Sequence, residues 1–206
     1  MKKLQSTWYN MVCVLTAISL VAGVALASVN EMTKGPIQEL KEKSEQTAIA
    51  QVLGGGDVMV QHIDTVVINE NNFVVMNAGE KGVAVKAVDP QNASFGGGLT
   101  IMVGISPAGE VLGYSVLETH ETPGLGAKAA QWFQKGEKGD IIGRKLADGE
   151  LVVSKDGGDV DAITASTITS RAFLRAVNAA YAALQQTQES TSESDGVSGA
   201  SIQNKN

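Results

Sequence analysis

The stretch Leu99–Glu118, LTIMVGISPAGEVLGYSVLE, decides how this chain folds. Two runs rich in Val, Ile, Leu and Tyr, Leu99–Ile105 and Val111–Glu118, flank Ser106-Pro107-Ala108-Gly109. Proline presets φ for the first corner of a turn, and glycine takes the positive φ that closes it. The segment therefore predicts a β-hairpin. Working backward, VMVQHIDTVVI, FVVMNA and GVAVKAV within residues 58–88 are interrupted at Asn71-Asn72 and Gly82, which predicts three more short strands. Residues 31–53 predict a helix beginning near Pro36, with Ile37, Leu40, Ala48, Ile49 and Val52 apolar, stopped by Gly54-Gly55-Gly56.

Working forward, Ala127–Gln134 reads as a short helix, and Ile141–Leu146 with Leu151–Lys155 as a further strand pair around Asp148-Gly149. A final helix runs from about Ser166 to Gln186. Phe173, Val177, Ala180, Tyr181 and Leu184 share one face at helical spacing, so it packs on the sheet. The tail over 188–206 has almost nothing to bury and is expected to be disordered. Strands and helices mix without a βαβ repeat, which makes the class α+β with an antiparallel sheet and packed helices.

The N-terminus carries a different signal. Met11–Val29 contains no charge, and at about 1.5 Å per residue such a helix is roughly 29 Å long, the thickness of a bilayer's hydrocarbon core. Lys2 and Lys3 precede it, so the positive-inside rule keeps residues 1–10 in the cytoplasm and exports the rest. Ala25-Leu26-Ala27 has the form of a signal-peptidase site, but the apolar run exceeds the usual 7–15-residue core of a signal peptide, favouring a retained anchor. The expected place is a cytoplasmic membrane, crossed once. The exported part then divides into a membrane-proximal helix and strands, 30–90, a second region, 91–187, and the tail.

Composition narrows the chemistry. A net charge of −6 over 206 residues argues against a nucleic-acid partner. Cys13 is the single cysteine, so neither a disulfide framework nor a CxxC pair can form. Two histidines are too few for a multi-His metal site, and no metal is expected. No nucleophile elbow, Walker sequence or GxGxxG stands between a strand and a helix. His120 and Glu121 are neighbours at a strand end and point to opposite faces, a poor acid–base pair. No catalytic residue is assigned, and redox work would need a borrowed cofactor.

Two segments remain. Asp161-Ala-Ile-Thr-Ala-Ser-Thr-Ile-Thr-Ser170 opens the last helix with a carboxylate, Asp161, and four hydroxyls, Thr164, Ser166, Thr167 and Thr169. A helix start suits anions, because its first N–H groups lack partners and the dipole is positive there. The run is either a rich N-cap or a place where a phosphate is held or esterified. Glu121-Thr122-Pro123-Gly124-Leu125-Gly126 is either a strand-to-helix connection with Leu125 in the core or a loop that approaches a ligand.

Together these two segments resemble the covalent FMN-binding domain of the G subunits of Rnf-type ion-translocating electron-transport complexes, and the related C subunits of sodium-translocating NADH:quinone reductases. The resemblance covers nearly the whole chain except the tail. It implies FMN joined through its phosphate to Thr167, with Asp161 and Thr164 as recognition positions for an FMN transferase. It places the loop Glu121, Thr122, Gly124, Leu125 and Gly126 over the flavin, with Ser166 and Thr169 beside it. Where the family has Gly-Ala this chain has Ala165-Ser166, and alanine restricts the backbone. The function implied is a membrane-anchored flavoprotein that relays electrons among partner subunits while ions are moved. Two other functions fit the same residues: a non-redox exported module that binds a phosphate-bearing ligand, and a flavinylated carrier for an extracytoplasmic reductase. Trp132 and Phe133 could reach a flavin ring, but core packing is their simpler role.

Overall fold

The computed structural model describes residues 8–56 and 58–198, with side chains as far as 190. The expectations for residues 1–7 and 199–206 lie outside that range. The chain divides into a first unit ending at Ser44 and a second beginning at Glu45.

Helix α1 spans Trp8–Val52. In the first unit its large apolar side chains, among them Val12, Leu15, Ile18 and Val21, are exposed, and the helix is long and apolar enough to cross a membrane. Ser28 and Thr33 turn their hydroxyls back onto the carbonyls of Val24 and Val29, so neither needs an outside partner. The separate helix expected from Pro36 is not separate, because Pro36 lies inside α1. An interior proline removes one hydrogen bond and crowds the preceding turn, at about 3 kcal/mol. Here Gly35 precedes it, but the run that follows, Gln38-Glu39-Leu40-Lys41-Glu42, is made of good helix formers, and the element continues.

The second unit is built on a five-stranded antiparallel meander in chain order. Its strands are β1 (His62–Ile68), β2 (Asn71–Asn77), β3 (Val83–Val88), β4 (Leu99–Ile105) and β5 (Val111–Thr119). The β4–β5 hairpin forms where its sequence predicts. Ser106 Oγ accepts the N–H groups of Ala108 and Glu110, and Gly109 takes φ +79°. The β1–β2 corner falls at Asn69-Glu70, both at positive φ, and not at Asn71-Asn72, which join β2. Two consecutive positive-φ residues make the tight turn whose twist suits a hairpin.

Each face of the sheet is covered. Ala48, Ile49, Val52 and Leu53, at the end of α1, pack on Met76, Ala84 and Met102. Gly104 on β4 and its register partner Gly113 on β5 leave room for this contact, since a Cβ at Gly104 would strike the Val52 carbonyl. The opposite face carries α3 (Thr167–Ser198), whose Phe173, Leu174, Val177, Ala180 and Leu184 are buried against Phe73, Val85, Ile101 and Val103. α3 is helical through Ser198, past the Gln186 end read from composition.

A 3-10 turn, Gly126–Lys128, leads into α2 (Ala129–Trp132). Phe133 stacks on Phe173 with ring centroids 4.4 Å apart, and Tyr114 meets Phe173 edge-on at 4.8 Å. The Tyr114 hydroxyl donates to the Ala129 carbonyl at 2.7 Å and accepts the Phe133 N–H at 3.2 Å. Burial pushes that hydroxyl's pKa up. Phe133 is thus a core residue, and Trp132 donates its indole N–H to the Asp161 carbonyl at 2.8 Å.

The strand pair expected over 141–155 does not form. Ile141 is buried ahead of the 3-10 turn Leu146–Asp148, Leu146 opens that turn, Leu151 and Val153 are buried between it and the turn Ser154–Asp156, and Val153 makes a single parallel bridge to Val160. Asn178 of α3 takes the hydrogen bonds a partner strand would have taken at Leu151, N–H to Oδ1 and Nδ2 to carbonyl, each at 3.0 Å.

Candidate functional site: a pocket at the start of α3

The approach to α3 is tied by its own hydroxyls. Ser170 Oγ donates to the Ser166 carbonyl at 3.0 Å and accepts the Ile163 N–H at 2.9 Å, while Ser166 Oγ donates to Thr169 Oγ1 at 2.8 Å. These three side chains are buried. Thr167, the first residue of α3, is left partly exposed. The turn is sharpened at Ala165, which sits in the left-handed region at φ +62°. That conformation is the one glycine adopts freely and alanine does not.

Beside Thr167 opens a pocket of about 380 Å³. The structure brings together seven of the residues singled out from sequence: Glu121, Thr122, Leu125, Gly126, Ser166, Thr167 and Thr169. The Thr122–Leu125 turn closes with a 3.1 Å hydrogen bond and carries Gly124 at φ +81°. A Cβ at Gly126 would collide with the Glu121 carboxylate and the Thr169 hydroxyl, so a side chain there would displace both. Glu121 is buried, and its Oε1 accepts the Gly96 N–H at 3.2 Å. Leu125 is 42% exposed, so it borders the pocket and does not plug the core.

Gly124, Asp161 and Thr164 are not among the lining residues. Asp161 is exposed, and its Oδ1 lies 3.4 Å from Ser154 Oγ. Thr164 is exposed on the same turn.

The structure adds residues that the sequence reading passed over. Phe95 and Ile168 also line the pocket, as does Ala165, noted from sequence only as a departure from the family pattern, and Phe95 is 74% exposed. An aromatic standing directly before Gly96-Gly97-Gly98 was a usable signal, since a glycine-rich loop gives it nothing to pack on. Lys155 donates from Nζ to Thr167 Oγ1 at 3.1 Å. No local pattern points to that lysine, because the contact is made by the fold.

Two ion pairs hold these walls. Arg171 grips Asp156 with Nε and Nη2, both at 2.6 Å, and Arg175 grips Asp89 at 2.9 and 2.8 Å. Arg171 holds the Asp156 carboxyl below the usual carboxylate range, and its own pKa is raised in return. Burial would raise Asp89, but the Arg175 hydrogen bonds and the N–H groups of Ala93 and Gln91 outweigh it and lower its pKa.

An open pocket with an apolar rim and an anion-favouring helix start suits a flat ring that carries a phosphate. Similarity to known proteins points the same way. Residues 94–182 match the family described as the FMN-binding domain. The chain is 31% identical to the G subunit of the ion-translocating oxidoreductase complex of Shewanella amazonensis, over 80% of this chain and 82% of that protein. It is 31% identical to the G subunit of the Na+-translocating ferredoxin:NAD+ oxidoreductase complex of Acetobacterium woodii, over 86% and 93%. Against the G subunit of the ion-translocating oxidoreductase complex of Escherichia coli K12 the identity is 31%, over 75% and 80%. With the family's domain and most of its length both present, the chain belongs to the family of G subunits of ion-translocating oxidoreductase complexes.

Proposed function

We propose that this protein is a single-pass membrane flavoprotein whose FMN is esterified to Thr167, and that it relays electrons between partner subunits of a complex that couples electron flow to ion translocation. The observation that carries the reading is the position of Thr167. It is the partly exposed hydroxyl at the first turn of α3, on the wall of a pocket inside the matched FMN-binding domain. FMN supplies one- and two-electron transfer when bound.

The chain's own residues hold and shield. The N–H groups of the first turn of α3 favour the phosphate's charge. Phe95, Leu125 and Ile168 offer apolar surface to the ring, and Glu121 anchors the Phe95 loop through Gly96. The ester keeps the cofactor on a domain that cannot recapture it from bulk solvent. Lys2 and Lys3 before the span support a cytoplasmic N-terminus, with the FMN-binding domain on the other side. An FMN transferase and the neighbouring membrane subunits are the partners this requires.

The test is the full chain made in a host with an FMN transferase, with wild type and Thr167→Ala compared on denaturing gels under ultraviolet light and by peptide mass. Fluorescence and the FMN mass on the Thr167 peptide are expected in wild type alone. A band that persists in Thr167→Ala refutes the assignment, and a wild-type chain that binds flavin only reversibly makes it a non-covalent module.

A further inference from the structure

We propose that Lys155 is the positioning residue for the phosphate, acting as the counter-cation that holds the phosphodiester against the start of α3; this rests on the reading of Thr167 as the attachment site. Lys155 Nζ donates to Thr167 Oγ1 at 3.1 Å, so its ammonium already stands at the oxygen that would become the ester bridge. The helix start it points to is itself unfavourable to a cation. The first turn of α3 carries no acidic residue, and a helix start is the positive end of the dipole, which repels lysine. Arg171 brings a second cation, a guanidinium, one turn further along, and Asp156 engages it with both carboxylate oxygens. Lys155 therefore faces the helix start with its nearest carboxylate, Asp156, already committed through both oxygens to Arg171. A phosphodiester on Thr167 places one negative charge between the two.

The backbone directs the lysine there. Lys155 sits in the 3-10 turn Ser154–Asp156, followed by Gly157 at φ +90°. The Arg171–Asp156 grip staples this turn to α3, so the lysine stem leaves it beside Thr167. Once Thr167 is esterified, the charge resides on the two non-bridging oxygens. A flexible four-carbon stem lets the ammonium follow them.

The experiment uses the full chain with and without an FMN transferase in the host, as wild type, Lys155→Gln and Lys155→Arg. Peptide mass first locates FMN. The readouts are the gain in thermal midpoint on loading and the fluorescence anisotropy of the attached flavin. Lys155→Gln is expected to lose at least half of the loading gain and to lower the anisotropy, while Lys155→Arg keeps both. About 1 M salt, where the screening length falls to about 3 Å, should bring wild type down to Lys155→Gln. Loading lost in Lys155→Gln and restored in Lys155→Arg also supports the role; loading lost in both refutes it. It is overturned if Lys155→Gln, with FMN mapped to Thr167, matches wild type in gain and anisotropy. Equal destabilisation of the unloaded and loaded forms overturns it too, since that marks a purely structural lysine. A wild-type chain without FMN on Thr167 removes this inference and the reading beneath it together, and peptide mass tells that failure apart.

Discussion

Arg171 and Arg175 stand one turn apart on α3, and each grips an aspartate through Nε and Nη2. The chemistry is the same and the settings are not. Asp89 is 1% exposed and takes two further backbone hydrogen bonds, whereas Asp156 is 37% exposed and faces solvent. Each aspartate begins or ends a segment that forms part of the site: Asp89 leads to Phe95 at the pocket, and Asp156 follows Lys155 at Thr167. One helix thus secures the apolar wall with a buried pair and the charged wall with an exposed one. The buried pair is a structural fastener, whereas the exposed pair is a locating device with little weight in stability.

The sharpest way to break this contrast is Arg175→Ala. It strands a buried carboxylate, and urea unfolding should show a loss of about 3 kcal/mol, the lower end for a broken buried pair. A change below about 1 kcal/mol would mean that the backbone donors of Gln91 and Ala93 suffice to hold Asp89.

Acid should dissolve the same difference. Because the folded pKa of Asp89 is lowered, its contribution is fully present above the unfolded value of about 3.9 and fades as pH falls through the folded one. The stability gap between wild type and Arg175→Ala should be widest near neutrality and close below about pH 4. Urea midpoints measured across that range would reveal it, and a gap independent of pH would exclude Asp89 as its origin.

Between the two walls lies Ala165. Its positive φ predicts that Ala165→Gly raises stability by about 1 kcal/mol, read as a higher thermal midpoint. Unchanged or reduced stability would mean that the turn relaxes out of the left-handed region. The smallest effect belongs to Arg171→Ala. Its melting curve in the unloaded chain should superimpose on wild type at about 0.5 M salt, where exposed pairs are screened. A clear loss of stability there would erase the distinction between the pairs.

Much of this architecture was legible in local pattern. The Leu99–Glu118 hairpin, the apolar stripe of α3 and the two segments that meet at the pocket each carry their signal within a few residues. What escaped was set by packing. The short apolar runs Ile141-Ile142 and Leu151-Val152-Val153 read as strand pieces, but Leu151 is tied to α3 by Asn178, which supplies the hydrogen bonds a partner strand would have made. Pro36 reads equally as a helix start or an interior residue until the turns before it are seen to be helical. Phe95 and Lys155 reach the site only because the fold brings distant segments onto Thr167, and no spacing rule spans that distance. Resemblance supplied the roles of Asp161 and Thr164, and the geometry alone gives neither a place in the pocket.

The notch formed by Gly104 and Gly113 also bears on where this molecule can be cut. Because it receives Val52, the end of α1 groups with the sheet in the unit that begins at Glu45, ahead of the glycines that end α1. A soluble fragment trimmed at Gly54 would leave Met76, Ala84 and Met102 open to water and invite self-association. One begun at Glu45 keeps its lid. Likewise, a foreign anchor must be spliced upstream of that residue, since the last two turns of α1 belong to the cofactor domain's architecture and not to the tether.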